Sequence, residues 1–373
     1  MESSRQSVET HQKTTELRFQ ACDRLHKWGT EDNGPIKEFL GIKITREREQ
    51  RSISLDLMAY IKAMVNKLLE RTTEKCWIPM QSIAGTTKGD KCSPSQNKKY
   101  QELGGQLLWV YNTVWLEISF TVGILARYMS TLTNRGWNAA VHILKYLNQT
   151  SEYCLHLGGK PNKHRSKAIV TYTDANRALD PTNGRRNTSG VITYVYRCPV
   201  SWRSHVQKCV ALSAVEVEFV DVSEAAQEVL FFSYLLRDLG VENTKPVLCM
   251  DSQGCVQVSK DPAKHWKLKQ IDTQYYFVRD DVQEGDLTIE NVGTANNVAD
   301  ILTNPLKGVY TSQLARSIGL GMPTKGGVED TSEFPGGLSK MQADRGSESE
   351  VQTEREMKAE LQVDQAMCLR NAC

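Results

Sequence analysis

Four acidic residues in this 373-residue chain stand where a carboxylate has chemistry to do. In "AIVTYTD" the alternation places Ala168, Val170, Tyr172 and Asp174 on one face of a strand, with the acid at its end. "PVLCMD" is a continuous apolar run, as expected of a strand covered on both sides, and it also ends in an acid, Asp251. In "ALSAVEVEFVDVSEAAQEVL" helical spacing sets Glu218 among Val215, Val222, Ala225 and Val229, a stripe where an unpaired carboxylate is costly. Glu216 has a different task. Ser213 lies three residues before it, which makes an S-x-x-E capping box at the helix entrance. Asp300, in "NNVADILT", falls early in the last expected helix, where a first-turn acid complementing the dipole is an equal reading.

Ligands of open α/β sheets bind outside the carboxyl ends of the strands. Two strands that each deliver an Asp to that edge, beside a helix carrying a Glu, form a cage that stays ionised only if cations neutralise it. Hard oxygen donors select Mg²⁺ or Mn²⁺ over zinc. Acids in the order Asp, Glu, Asp, Asp suit two ions that activate a water and stabilise the leaving oxygen of a phosphodiester. The sequence offers no nucleophilic Ser or Cys motif, so hydrolysis by activated water is the natural chemistry.

The elements that must position these acids form a mixed α/β pattern. "AIVTYTD", "GVITYVY" and "PVSWRS" predict three strands, followed by a long helix over 213–239 and the strand "PVLCMD". The helix "IDTQYYFVRDDVQEG", the strand "LTIENV" and the helix "NNVADILTNPL" complete the set. Upstream, "EFLGIKITREREQRSISLDL" reads as a hairpin and "MAYIKAMVNKLLERTTE" as a helix. Two more helical segments run over 100–129 and 137–147, and "GGKPNKHRSK" at 158–167 has the composition of a linker.

Composition excludes several classes. No apolar run approaches the eighteen or so residues of a membrane helix, so no membrane partner is expected. The polar N-terminus lacks the apolar core of a secretion signal, and the expected location is intracellular, cytoplasmic or nuclear. Ten cysteines are scattered singly without a C-x-x-C pair, the pattern of free, reduced thiols. The net charge of +2 is uneven: beyond Val328 ten acidic residues face five basic ones, leaving +7 on the preceding body, which is compatible with a polyanionic partner.

With the acids and their strands in place, the chain from about Phe39 to Leu306 resembles the C-terminal part of copia-type retrotransposon polyproteins, the end of the reverse transcriptase followed by ribonuclease H. "FLGIKI" looks like the hairpin after the polymerase palm; "YQELGGQLLW", "ISFTVGILARYMS" and "WNAAVHILKYL" look like thumb and connection segments. "YTDA", "RRNTSG", "VSWRS", "ALSAVEVEF", "MDSQG", "IDTQYYFVRD" and "NNVADILTNPL" look like successive ribonuclease H blocks. The resemblance implies a ribonuclease H-like mixed five-stranded sheet with flanking helices over 168–320. It also implies a mainly helical reverse-transcriptase remnant with a β-hairpin over 35–157. A polar segment over 1–34, the linker at 158–167 and an acidic tail over 321–373, expected to be disordered, complete the domain reading. Asp174, Glu218, Asp251 and Asp300 become the family's acids for two Mg²⁺ or Mn²⁺ ions, and an RNA–DNA hybrid becomes the expected substrate. His265, in "KDPAKHWKLKQ", takes the place of a histidine that assists catalysis or product release, with an exposed loop histidine as the equal alternative. Lys260, Lys264, Lys267 and Lys269 either contact phosphates or form a solvated charge run. Trp202 and Trp266 are expected to pack rather than stack on bases.

The departures are as specific as the matches. No Tyr-x-Asp-Asp polymerase turn occurs in the sequence, so polymerase activity is not expected from it, and a related polyprotein's polymerase part is a conceivable partner. "TVWLEISF" stands where the family usually has Thr-Arg-Pro-Asp before Ile-Ser. Asn176 replaces a second acid, and Gln270 and Tyr276 replace common histidines. Two functions therefore compete: a ribonuclease H acting on hybrids, and a non-catalytic relic with at most weak nucleic-acid binding. An integrase-like enzyme would carry Asp, Asp and Glu in that order, and here the Glu comes second.

Overall fold

The computed structural model describes residues 34–69, 76–80, 89–130, 132–158, 167–176, 186–208, 214–241, 245–260, 272–305 and 308–323. Their elements are, in order, β1 (Glu38–Phe39), β2 (Ile42–Glu47), β3 (Ser52–Asp56), α1 (Met58–Leu68), α2 (Pro94–Thr113), a 3₁₀ turn (Leu116–Ile118), α3 (Ser119–Ala126), α4 (Asn134–Thr150) and β4 (Cys154–Gly158). Then follow β5 (Ile169–Asn176), β6 (Thr188–Val195), β7 (Cys198–Val206), α5 (Ala214–Asp238), β8 (Val247–Met250), α6 (Gln253–Lys260), α7 (Asp272–Glu284) and β9 (Thr288–Asn291). Two 3₁₀ turns (Thr294–Asn296 and Val298–Leu302), α8 (Gly308–Ser317) and β10 (Leu320–Gly321) close the series. No described helix is long and apolar enough to cross a membrane.

The sheet that carries the acids has the order β7-β6-β5-β8-β9. β5, β6 and β7 form an antiparallel meander, β8 pairs with β5 in parallel, and β9 pairs with β8 in parallel. This is the ribonuclease H-like sheet that the resemblance implies. Helix α5 covers one face with Phe219, Val222, Ala225, Ala226 and Val229, all buried against Ile169, Val191 and Leu248. The opposite face, with Tyr172, Ile192 and Tyr194, joins a larger core that also contains Leu57, Ile61, Leu107, Trp115, Ile143 and Leu147 from the first half of the chain.

That shared core departs from the sequence reading. Upstream of β5 the sequence predicts only a hairpin and helices, whereas the structure builds a second, antiparallel sheet in the order β1-β2-β3-β4-β10. β4 and β10 were not legible: five residues directly after a helix, and two residues near the end of the described chain, are too short for periodicity to show. β10 pairs with β4 across Leu320↔Leu155 and Gly321↔Cys154, and α8 with the residue after it adds Leu314, Ala315 and Ile318 to the shared core. The chain thus returns after the acid-bearing sheet to complete the sheet with which it began.

A second departure concerns "NNVADILTNPL". The expected helix is only the short turn Val298–Leu302. Pro305 has no N–H to continue a helix and disfavours helical backbone at Asn304. Helices α6 and α8 are likewise not expected from the sequence, being short and rich in polar residues.

Candidate active site

The site begins with strand register. Asp174 faces Gly190 across β5 and β6, and β8 runs parallel to β5 through Tyr172↔Cys249, so Asp174 and Asp251 leave the sheet at the same edge. Gly190 is required by what lies above it. A methyl group there would stand 2.7 Å from Thr303 Cγ2 and 2.9 Å from Leu302 Cβ, so only glycine lets the Asp300 turn descend onto the sheet. Asn297 fixes that turn: its side-chain amide donates to the Thr173 carbonyl at 3.0 Å, and its oxygen caps the turn at the Ala299 amide. Asp174 and Asp300 are therefore brought together through the backbone on both sides.

Each aspartate is also held by a neutral donor. The Thr303 hydroxyl donates to Asp174 Oδ2, the Thr294 hydroxyl donates to Asp251 Oδ2 at 2.8 Å, and the Asn304 amide donates to Asp300 Oδ1. The Asn176 amide in turn donates to Asn304. Glu218, half-buried on α5, has no hydrogen-bond partner among the described residues. Glu216 is the more buried of the two glutamates at 6% exposure and lies in the helix's first turn, while Ser213, its expected partner, is outside the described residues.

Electrostatics tie the four together. Burial pushes the Asp174 carboxyl up to about 7, and Asp300 and Asp251 push the same way, against its bonds from Thr303 and the Ala175 amide. Glu218 is raised to about 8, by burial first and then by Asp174 and Asp251. Burial and Asp251 raise Asp300 against its bonds with Asn304 and Tyr310. Asp251 thus acts on all three of the others. The Tyr310 hydroxyl, on α8, is itself pushed up to about 12 by burial and by the same aspartates.

The donor set is all hard oxygen and carries an excess of negative charge that divalent cations would neutralise. Yet among the described residues no group of three or more His, Cys, Asp and Glu side chains stands in metal-holding geometry. The acids sense one another, but the three aspartates each spend an oxygen on Thr303, Thr294 or Asn304. The residues fit a divalent ion by chemistry and by shared edge, not by closed coordination.

The remaining sequence candidates divide. Lys260 is exposed in the last turn of α6. His265, Lys264, Lys267, Lys269 and Trp266 lie outside the described residues. Trp202 packs, with its indole N–H donating to the Tyr111 carbonyl at 2.8 Å. None of the six described cysteines is in a disulfide. Sequence reasoning missed Thr294, Asn297, Thr303, Asn304 and Tyr310; only Asn297, a good cap residue just ahead of the turn, left a signal. It also missed Asp221, which is fully buried between α5 and the sheet and accepts from Ser189 and, at 2.9 Å, from Gln207. Burial holds Asp221 well above the usual carboxylate range.

No protein-family model matches the chain. It is 31% identical over 291 residues to the retrovirus-related Pol polyprotein from transposon TNT 1-94 of Nicotiana tabacum, covering 75% of this chain and 21% of that protein. It is 29% identical over 310 residues to the Pol polyprotein from transposon RE2 of Arabidopsis thaliana, covering 81% and 20%. The chain thus spans about a fifth of the length of these curated relatives. Among solved structures, the N-terminal ribonuclease H domain of a Mycobacterium tuberculosis protein aligns over 41% of this chain and 99% of that one. Its identity is 18% and its TM-score 0.27, too low for the likeness to carry an argument. By its sequence relatives, the chain belongs to the retrovirus-related Pol polyproteins of transposons.

Proposed function

We propose that this chain is a copia-type ribonuclease H that hydrolyses the RNA strand of RNA–DNA hybrids. The observation that supports the reading is the shared edge to which β5 and β8 deliver Asp174 and Asp251 beneath the Asp300 turn, with the charge of Asp251 felt at Asp174, Glu218 and Asp300. These four residues would hold two Mg²⁺ or Mn²⁺ ions; when bound, such ions supply an activated water and charge stabilisation at the phosphodiester. The chain's own residues do the positioning. Thr303, Thr294 and Asn304 orient one oxygen of each aspartate, and Glu218 stands ready without a competing bond. Hybrid recognition would rest on backbone and 2′-hydroxyl contacts and be insensitive to base sequence. Lys260, exposed in the last turn of α6, would contact a phosphate, with His265 and the neighbouring lysines in sequence as further contributors.

The open coordination favours a second reading, a relic that folds but no longer cuts. One assay separates them: Mg²⁺-dependent cleavage of an end-labelled hybrid by the intact chain and by Asp251→Asn. Cleavage lost in the variant supports the nuclease. Cleavage unchanged by the substitution removes the acid edge from the chemistry, and cleavage in neither protein selects the relic.

A further inference from the structure

A further acid, beside the Asp300 turn but on another element, has the marks of a binding site. Glu117 lies in the 3₁₀ turn before α3, within the "TVWLEISF" departure, and is 3% exposed. The Tyr146 hydroxyl donates to its Oε1 at 3.3 Å, whereas Oε2 has no partner among the described residues. No cationic side chain pairs with it there. Burial pushes this carboxyl up to about 8 despite its hydrogen bonds from a backbone amide and Tyr146. Glu117 lines a cleft together with Thr121, Asn304, Thr311 and Ile301, with room for roughly one water-sized particle. Thr121 and Thr311 are each 3% exposed, so the polar lining is built into the interior.

We propose that this cleft binds one monovalent metal cation of sodium or potassium size, held by the Glu117 carboxylate with the hydroxyl oxygens of Thr121 and Thr311. Three considerations select that occupant. A buried carboxyl is neutralised by its proton below about pH 8 and needs another compensating charge above it, where the lining offers oxygen donors without a cation. A single carboxylate balances a single positive charge. Mg²⁺ keeps several waters in a near-octahedral shell, for which the cleft has no room. The cleft shares Asn304 with the Asp300 turn, but its three proposed ligands are outside the acid edge and do not depend on the nuclease reading.

The test melts the full chain at pH 8 in potassium, sodium and choline chloride at equal ionic strength. Binding to the folded state raises the melting temperature, here by roughly 2 °C or more in the metal salts over choline. In Glu117→Gln, which keeps size and removes the charge, that difference is expected to vanish. Equal melting in all three salts, or the same gain in the variant, overturns the proposal. Should the variant fail to fold, crystals of the wild-type chain soaked in thallium(I), a potassium surrogate, decide the matter. An anomalous peak beside Glu117 supports the site, and a cleft holding only water overturns it.

Discussion

At the scale of residues, the acid edge is a cluster whose charges repel and whose donors compensate only in part. Asp174 and Glu218 have folded-state values of about 7 and about 8, above the ordinary 3.8 and 4.5. A carboxyl raised by folding favours the protonated native state, so its contribution is full below the ordinary value and is lost as pH rises through the folded one. Without divalent ions the chain should therefore lose stability between about pH 4 and pH 8 through these two groups. Thermal melts in chelator should show Glu218→Gln flattening that slope relative to wild type, and an unchanged slope would contradict the assignment. Thr303 is the second residue-scale probe. Its hydroxyl is a hydrogen-bond donor to a buried carboxyl, so Thr303→Val should cost about 1–3 kcal/mol in denaturant unfolding.

At the scale of elements, the site depends on a five-residue turn, Val298–Leu302, pressed onto a sheet. Gly190→Ala would set a methyl group against Thr303 and Leu302, and overpacking of this kind costs about 1–3 kcal/mol. Asn297→Ala removes both the cap and the bond to β5, and should cost about 1–2 kcal/mol while loosening Asp300. Both substitutions should lower cleavage more than Thr113→Ala, whose hydroxyl only bonds back to its own helix. These dependencies explain what was legible. The strands ending in Asp174 and Asp251 and the helix bearing Glu218 announce themselves by alternation, an apolar run and helical spacing. The turn does not, because its conformation is imposed by Gly190 beneath it and Pro305 after it rather than by a periodic pattern. The donors to the acids come from that turn and its neighbours, so they were invisible for the same reason. β4, which pairs with the hairpin's β3, and β10, which pairs with β4, leave no sequence signal because their partners are distant in the chain, Leu320 opposite Leu155 and Leu55 opposite Leu155.

At the scale of the molecule, the two sheets share apolar packing. Tyr172, Ile192 and Ile301 lie in the same core as Trp115, Ile143 and Leu147, and α8 and β10 close it. A chain ending at Asn304 would leave Leu155 without its β10 partner and lose Leu314 and Ile318 from the core. Such a truncation should abolish the cooperative melt and expose apolar surface that binds a hydrophobic dye. A truncated chain that melts as the intact one does would show the closing segment to be dispensable. The ordering of these parts serves one arrangement: carboxylates distant in sequence meeting at one edge to share divalent cations. Calorimetric titration of Mn²⁺ into the intact chain and into Asp251→Asn tests that arrangement without requiring turnover. Saturable binding is expected in the wild-type chain, and its loss in the variant. Equal binding by both proteins, or none by the wild-type chain, would contradict it.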